Sequence, residues 1–311
     1  MTRLLTLLVL LLAGRAASAA DELTVLLDWF VNPDHAPLIL ARELGYFDEA
    51  DLDVTLVEPA DPSLPPKLVA AGQADLAVTY QPQLHAQVAA GLPLSRIATL
   101  VGTPLNSVVV LADGPVRTLA DLAGRKVGYS VGGFEDALLA AMLEHNGLAL
   151  DDVELVNVNF SLSPSLLSGQ VDAVIGAFRN FELNQLDIEG RPGRGFYPEE
   201  EGVPAYDELI LVAANARRDD PAIGRLVAAI GRATAYLDEH PDEAWERFRA
   251  SDPAALDDEL NRRAWRDTLP LFARDPAALD EARYDAFARF MQARGLIDAV
   301  PPVASYARVP R

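Results

Sequence analysis

The stretch Val69-Ala70-Ala71-Gly72-Gln73-Ala74-Asp75-Leu76-Ala77-Val78 reads as an apolar helix end, a Gly-Gln-x-Asp step and a buried strand. The same order returns at Leu166-Leu167-Ser168-Gly169-Gln170-Val171-Asp172-Ala173-Val174-Ile175. In both, glycine stands where a helix would stop in the left-handed conformation that side chains resist. Each stretch sits inside a similar run of alternating elements, so the pair reads as a duplication.

Working outward from the first copy, Leu23 to Asp28 is strand-like, Trp29 to Pro33 turns, and His35 to Leu44 reads as a helix closed by Gly45. Asp53 to Glu58 alternates like a strand and Pro65 to Ala71 is a short helix. Asp75 to Thr79 is the next strand, and Pro82 to Ala90 a helix stopped by Gly91. Around the second copy, a helix follows Thr118, Lys126 to Ser130 is a strand, and Glu135 to His145 is a helix after a Gly132-Gly133 turn. Val153 to Val158 and Asp172 to Gly176 are strands, with a short helix from Pro164 between them. Gly193-Arg194-Gly195 reads as loop, and Glu208 to Ala213 as strand. The expected class is α/β, with two lobes, each a mostly parallel sheet flanked by helices. From Pro221 onward come helices whose Trp245, Phe248, Trp265, Leu269, Phe272, Tyr284, Phe287 and Met291 are expected to face inward.

Composition narrows the function classes. The chain has 311 residues, a length that suggests about two domains, and half of them are apolar. Its 46 acidic and 26 basic residues give −20, which argues against nucleic-acid binding. There is no cysteine, so disulfides, thiolate metal sites, cysteine nucleophiles and a lipid-modified N-terminal cysteine are excluded. Arg3, an apolar run from Leu4 to Ala13 and small residues around Ala17 to Ala20 have the form of a cleavable export signal over residues 1–20. Losing Arg3 and Arg15 with it would leave 24 basic against 46 acidic residues, or −22.

An exported, acidic chain with two similar α/β lobes points to a solute-binding protein with its ligand in the interlobe cleft, outside the carboxyl ends of the strands. The segments that follow the strands carry recognition chemistry. Trp29 offers a flat stacking surface, Asn32 a donor and an acceptor, and Asp28 a carboxylate. Asp34 and His35 could each cap the following helix, and His35 could equally contact a ligand. Tyr80 and Gln81 follow the repeat strand of the first lobe; Phe178 and Glu182 follow its counterpart in the second. Ser130 to Phe134 is a glycine-containing turn before a helix, a place where backbone N–H groups can hold an anion, although a tight turn explains it as well. The four histidines lack metal-ligand spacing, and no nucleophile elbow or phosphate-binding loop is present.

Asp28-Trp29-Phe30-x-Asn32-x-x-His35-x-Pro37, Ala41-x-Glu43-x-Gly45-Tyr46-Phe47 and Tyr80-Gln81-Pro82 resemble the pyrimidine-precursor proteins of thiamine metabolism. So do Leu119-x-x-Leu122-x-Gly124-x-Lys126-Val127-Gly128-Tyr129 and Asn180-x-Glu182, and with the two Gly-Gln-x-Asp steps the resemblance covers roughly residues 23 to 300. One branch of that family consists of periplasmic binding proteins of ABC importers for formylaminopyrimidine. The other consists of synthases that consume their own histidine and a lysine-bound pyridoxal phosphate. Thr79 stands at the position of the synthase lysine and Gln83 at that of its histidine. The resemblance therefore implies a type II periplasmic-binding-protein fold, no cofactor and no catalytic residue. It implies an aminopyrimidine stacked on Trp29 and Tyr80 and read by Glu182 and Asn32, with Asp28, His35, Gln81 and Phe178 nearby. Arg179 departs from the aromatic expected there, which leaves riboflavin or another heteroaromatic as an alternative cargo; wider families that share some of these motifs bind sulfonate or nitrate, and a pyrimidine-precursor synthase is the remaining alternative. The implied partners are an ABC permease and its ATPase, and a monomer is expected. The expected lobes are residues 21–110 with 212–311, and residues 111–211, hinged near 108–115 and 208–214.

Overall fold

The structure, a computed structural model, describes residues 20–310; the expected export signal lies outside the described residues except for Ala20. Ten strands form two sheets. The first contains β1 (Asp21–Leu26), β2 (Leu52–Val57), β3 (Leu76–Thr79), β4 (Leu94–Val101) and β10 (Leu209–Ala214). The second contains β5 (Asn106–Leu111), β6 (Lys126–Tyr129), β7 (Glu154–Asn157), β8 (Ala173–Phe178) and β9 (Gly193–Phe196). The orders are β2-β1-β3-β10-β4 and β7-β6-β8-β5-β9. Position by position, β3 matches β8, and β10, arriving from the far end of the chain, matches β5.

Both sheets are mixed. β1 runs parallel to β2 and β3, and β6 parallel to β7 and β8. β10 is antiparallel to β3 and β4, and β5 is antiparallel to β8 and β9. The expectation of mostly parallel sheets holds, since four of the five strands in each sheet run the same way and only the strand that crosses over, β10 or β5, runs opposite. β9 corrects the reading of Gly193-Arg194-Gly195 as loop: those glycines form an edge strand on β5. A Cβ at Gly193 would lie 2.8 and 2.9 Å from the side chains of Leu186 and Leu183, so the missing side chain lets this edge close onto the preceding helix.

The duplicated motif has one physical job in both lobes. Gly72 and Gly169 sit at φ of 72° and 73°. The next amides close each helix end in the same way, Gln73 to the Leu68 carbonyl at 2.9 Å and Gln170 to the Ser165 carbonyl at 3.0 Å. Asp75 Oδ2 then accepts from the Thr24 amide at 2.6 Å, and Asp172 Oδ2 from the Lys126 amide at 3.0 Å. Each aspartate thereby ties the start of the central strand to its parallel neighbour, which sets the register Val25–Leu76 and Val127–Ala173.

The chain leaves the first sheet after Val101 and returns to it at Leu209, so the second sheet is one continuous segment and the first is built from both ends. The connectors are residues 102–105 and 197–208, and β5 lies wholly within the second sheet. Glu208 spans the two connectors, its Oε2 accepting from the amides of Leu105 and Asn106 at 2.6 and 2.9 Å. The helical C-terminal region packs as its apolar spacing suggests: Trp245, Phe248, Trp265, Phe272, Tyr284, Phe287 and Met291 are buried, and Leu269 is half-buried. Arg96 on β4 is fully buried; its guanidinium donates to the carbonyls of Pro276, Ala277 and Arg308 and to Thr99 Oγ1.

Candidate functional site

The turns after β1 and β3 meet those after β6 and β8 across a cleft between the sheets. A narrow cavity of about 30 Å³ lies there, lined by Asp28, Trp29, Asn32, Asp34, His35 and Tyr80 from the first lobe. Glu135, Leu162, Gly176, Phe178, Phe181 and Glu182 line it from the second, and Leu209 closes the hinge side. Seven of the eight residues singled out from the sequence share this wall: Trp29, Tyr80, Glu182, Asn32, Asp28, His35 and Phe178. Gln81 does not. Its amide donates to the Asp207 carbonyl, and its Oε1 accepts from the Asp207 amide at 2.8 Å, so it ties β3's end to the return connector.

On the first lobe, Asp28 organises the wall. Its Oδ1 lies 2.9 Å from His35 Nε2 and its Oδ2 accepts from the Tyr80 hydroxyl at 2.8 Å. His35 Nδ1 accepts from the Asn32 amide at 3.3 Å. An accepting Nδ1 leaves Nε2 as the protonated nitrogen facing Asp28, which fixes the ring's tautomer and orientation. Asn32 Oδ1 accepts in turn from the Asp34 amide at 2.8 Å, so Asn32 caps the turn and Asp34 does not. Tyr80 is buried, stacked on Phe134 at 4.8 Å and 20°, with Phe178 edge-on at 6.3 Å. Trp29 meets Phe160 of the second lobe edge-to-face at 4.7 Å, and the half-exposed Phe30 lies on the same ring at 4.7 Å. Aromatic side chains from the two lobes therefore touch at two places along the cleft.

Asp34 takes a role that local spacing did not suggest. Its Oδ1 accepts from Asn180 Nδ2 of the second lobe at 2.6 Å and from Thr268 Oγ1 at 2.9 Å. Asn180 Nδ2 also donates to Thr268 Oγ1 at 2.7 Å. This buried triad joins the lobes through three elements far apart in sequence. Asp34 Oδ2 and Asn180 Oδ1 are buried acceptors without a partner.

Three carboxyl groups facing the cavity are lifted well above their ordinary range, chiefly by burial. Asp34 is pushed up to about 6, and Glu135 and Glu182 each to about 8. Backbone amides hold the glutamates in place: Phe178 N donates to Glu182 Oε2 at 2.6 Å, and Ser130 N to Glu135 Oε2 at 2.8 Å. No lysine or arginine lines the cavity. Arg179 turns away to the hinge, where it pairs with both oxygens of Glu199 at 2.6 and 3.0 Å and stacks over Tyr197. Its departure from an aromatic therefore leaves the cavity wall unchanged. Glu135 escaped the sequence reading because its place in the wall depends on Gly176, forty-one residues on, which lets the carboxyl lie against β8. Thr79 and Gln83 are buried beneath Tyr80, hydrogen-bonded to each other and outside the cavity lining. Among the described residues, no group of three or more His, Cys, Asp or Glu is placed to hold a metal ion.

Aromatic rings beside carboxyl groups are the chemistry that suits a small planar molecule with N–H donors. Comparison with known proteins places it in context. The chain is 56% identical, over 289 residues, to a Haemophilus influenzae protein named for thiamine biosynthesis, covering 93% of this chain and 92% of that one. It is 38% identical over 230 residues to the formylaminopyrimidine-binding protein of Halalkalibacterium halodurans, covering 73% and 69%. The 4-amino-5-hydroxymethyl-2-methylpyrimidine phosphate synthase of Legionella pneumophila is 26% identical over 288 residues, covering 91% and 89%. Among solved structures, the alkanesulfonate-binding protein of Xanthomonas axonopodis superposes with a TM-score of 0.74 at 17% identity, over 95% of this chain and all of that one. A Candida albicans protein with the generic periplasmic-binding-protein fold gives 0.72 at 18%, over 93% and 96%. The fold is thus that of the two-lobed periplasmic binding proteins. Residues 32–244 match the family described as NMT1/THI5 like, and the chain belongs to that family.

Proposed function

We propose that this chain is the solute-binding protein of an ABC importer and that it carries a thiamine pyrimidine precursor such as formylaminopyrimidine. The observation that carries this reading is the acceptor-rich cleft: Asp34, Glu135 and Glu182 face one aromatic-walled cavity with no cation among its lining residues. Such a wall suits an amino-substituted heteroaromatic ring, with Trp29 and Tyr80 against its faces and Glu182 and Asn32 at its polar edge. It is ill suited to a sulfonate or nitrate, which would need a positive partner. The 38% identity to a formylaminopyrimidine-binding protein favours the same cargo. The synthase alternative meets Thr79 and Gln83 hydrogen-bonded to each other outside the cavity, and a chain without cysteine. The likeness to periplasmic binding proteins, together with the leader-like N-terminus, supports work in the periplasm, handing its cargo to a permease with no bond chemistry.

A thermal-shift and calorimetric comparison tests this. Formylaminopyrimidine is expected to raise the melting temperature by mass action and to bind with 1:1 stoichiometry, while ethanesulfonate and nitrate leave it unchanged. A shift with the sulfonate alone overturns the reading.

A further inference from the structure

The turn between β6 and the helix Glu135–His145 has the makings of an anion site: it follows a strand end, contains Gly132-Gly133, and opens an eleven-residue helix. Three of its amides, however, are already taken by the chain's own carboxyl groups. Glu135 Oε2 accepts from Ser130 N at 2.8 Å and from Val131 N at 3.1 Å, and Asp136 Oδ1 accepts from Gly133 N at 2.8 Å. Glu135 is only 3% exposed and lines the cavity. The wall opposite has been cut away for it. Gly176 holds φ of 94°, and a Cβ there would stand 2.7 Å from the Glu135 carboxyl carbon.

We propose that Glu135 is a specificity-determining residue that fills the anion pocket of the second lobe from within, so that the cleft admits a free pyrimidine and rejects its phosphate ester and other oxyanions. Two observations converge on this besides the turn itself. Asp34, whose Oδ2 is buried without a partner, lines the same cavity, and its carboxylate would repel an oxyanion seated there. The synthases to which the chain is similar are named for a phosphorylated pyrimidine, so family members handle the ester that this cleft would exclude. Exclusion here works by occupancy. A glutamine at 135 can still accept from both amides, whereas an alanine frees the amides and the space between them and Gly176.

The proposal deepens the pyrimidine reading, but its core test is independent of it. Inorganic phosphate is the probe, with wild type, Glu135→Ala and Glu135→Gln compared by thermal shift at equal ionic strength. Glu135→Ala is expected to gain a phosphate-dependent rise on the order of 2–4 °C at tenfold saturation, with none in wild type or Glu135→Gln. Glu135→Ser, whose hydroxyl is well tolerated at a helix start, replaces the alanine variant if that one does not fold. In a second arm, the preference for 4-amino-5-hydroxymethyl-2-methylpyrimidine over its phosphate is expected to shrink at least tenfold in the opened variant. A folded opened variant that stays blind to phosphate overturns the proposal, as does phosphate binding by wild type at the same concentration. Failure of wild type to bind any unesterified pyrimidine overturns the cargo assignment alone.

Discussion

Replacing Asn180 by alanine cuts the buried polar tie between the lobes, leaving each lobe's sheet and the exposed Asn184–Asp267 and Arg263–Asp187 contacts at 2.7 and 2.6 Å intact. The Asn180 amide nitrogen uses one hydrogen on Asp34 Oδ1 at 2.6 Å and the other on Thr268 Oγ1 at 2.7 Å. A hydrogen bond to a charged group contributes about 1.5–3 kcal/mol net and one to a neutral group about 0.5–1.5. Their loss should therefore disfavour the joined arrangement by about 2–4 kcal/mol, a factor of roughly 30 to 700. If capture needs the lobes joined, ligand affinity falls by up to that factor, because only the binding-competent fraction takes up ligand. Asn180→Asp should fall further, since it sets a second carboxylate beside Asp34. Calorimetry gives the affinity, and small-angle scattering gives the radius of gyration, expected to rise in the ligand-free variant. Wild-type affinity in Asn180→Ala would refute the tie, provided the variant melts as a folded protein.

Trp29→Ala is expected to weaken binding of a planar ligand by about 1–3 kcal/mol through lost stacking, and calorimetry showing no change would remove Trp29 from the site. Gly72→Ala and Gly169→Ala should each lower stability by about 1 kcal/mol in denaturant titrations, because both positions hold positive φ in open space. Similar costs at the two positions are the signature of duplicated geometry, and a stabilising effect at either would contradict it. The ligand-free protein should also lose stability as pH rises. Glu135 and Glu182 are raised to about 8, so the folded state holds protons that the unfolded chain releases near pH 4 to 4.5. Their contribution is full below that range and is lost as pH climbs towards 8, on the order of 3 kcal/mol for one such group between pH 5.5 and 8. Urea midpoints should record the fall, and Glu182→Gln should flatten it; an equal fall in wild type and variant would mean that Glu182 is not the source.

Much of the architecture was legible because the first halves of both lobes are local. Amphipathic helices ending in glycine and strands carrying their own turn signals announce themselves within a dozen residues, and Gly-Gln-x-Asp performs the same local task twice. The non-local pieces were harder. β4 and β5 are buried almost throughout, so they show no alternation to read. β9 contains two glycines in four residues, and its strand character comes entirely from β5 beside it. The site followed the same division. Asp28, Trp29, Asn32 and His35 sit in one polar turn and were found together. Asp34 was read as a cap because its true partners, Asn180 and Thr268, are 146 and 234 residues away. Gln81 had a plausible strand-end position, but its side chain serves Asp207.

The burial of Arg96 has a consequence for the order in which the molecule can be assembled. Its guanidinium donates through both terminal nitrogens, to carbonyls of Pro276, Ala277 and Arg308, and β10, an interior strand of the same sheet, arrives only after the whole second lobe. Until β10 arrives, the first sheet lacks the strand between β3 and β4, and until residue 308 is made Arg96 lacks one of its carbonyl partners. The second lobe, being one unbroken segment, meets no such delay. A chain laid out in this way cannot complete its first sheet before its second lobe has been made, and the cleft, which needs both lobes, forms late.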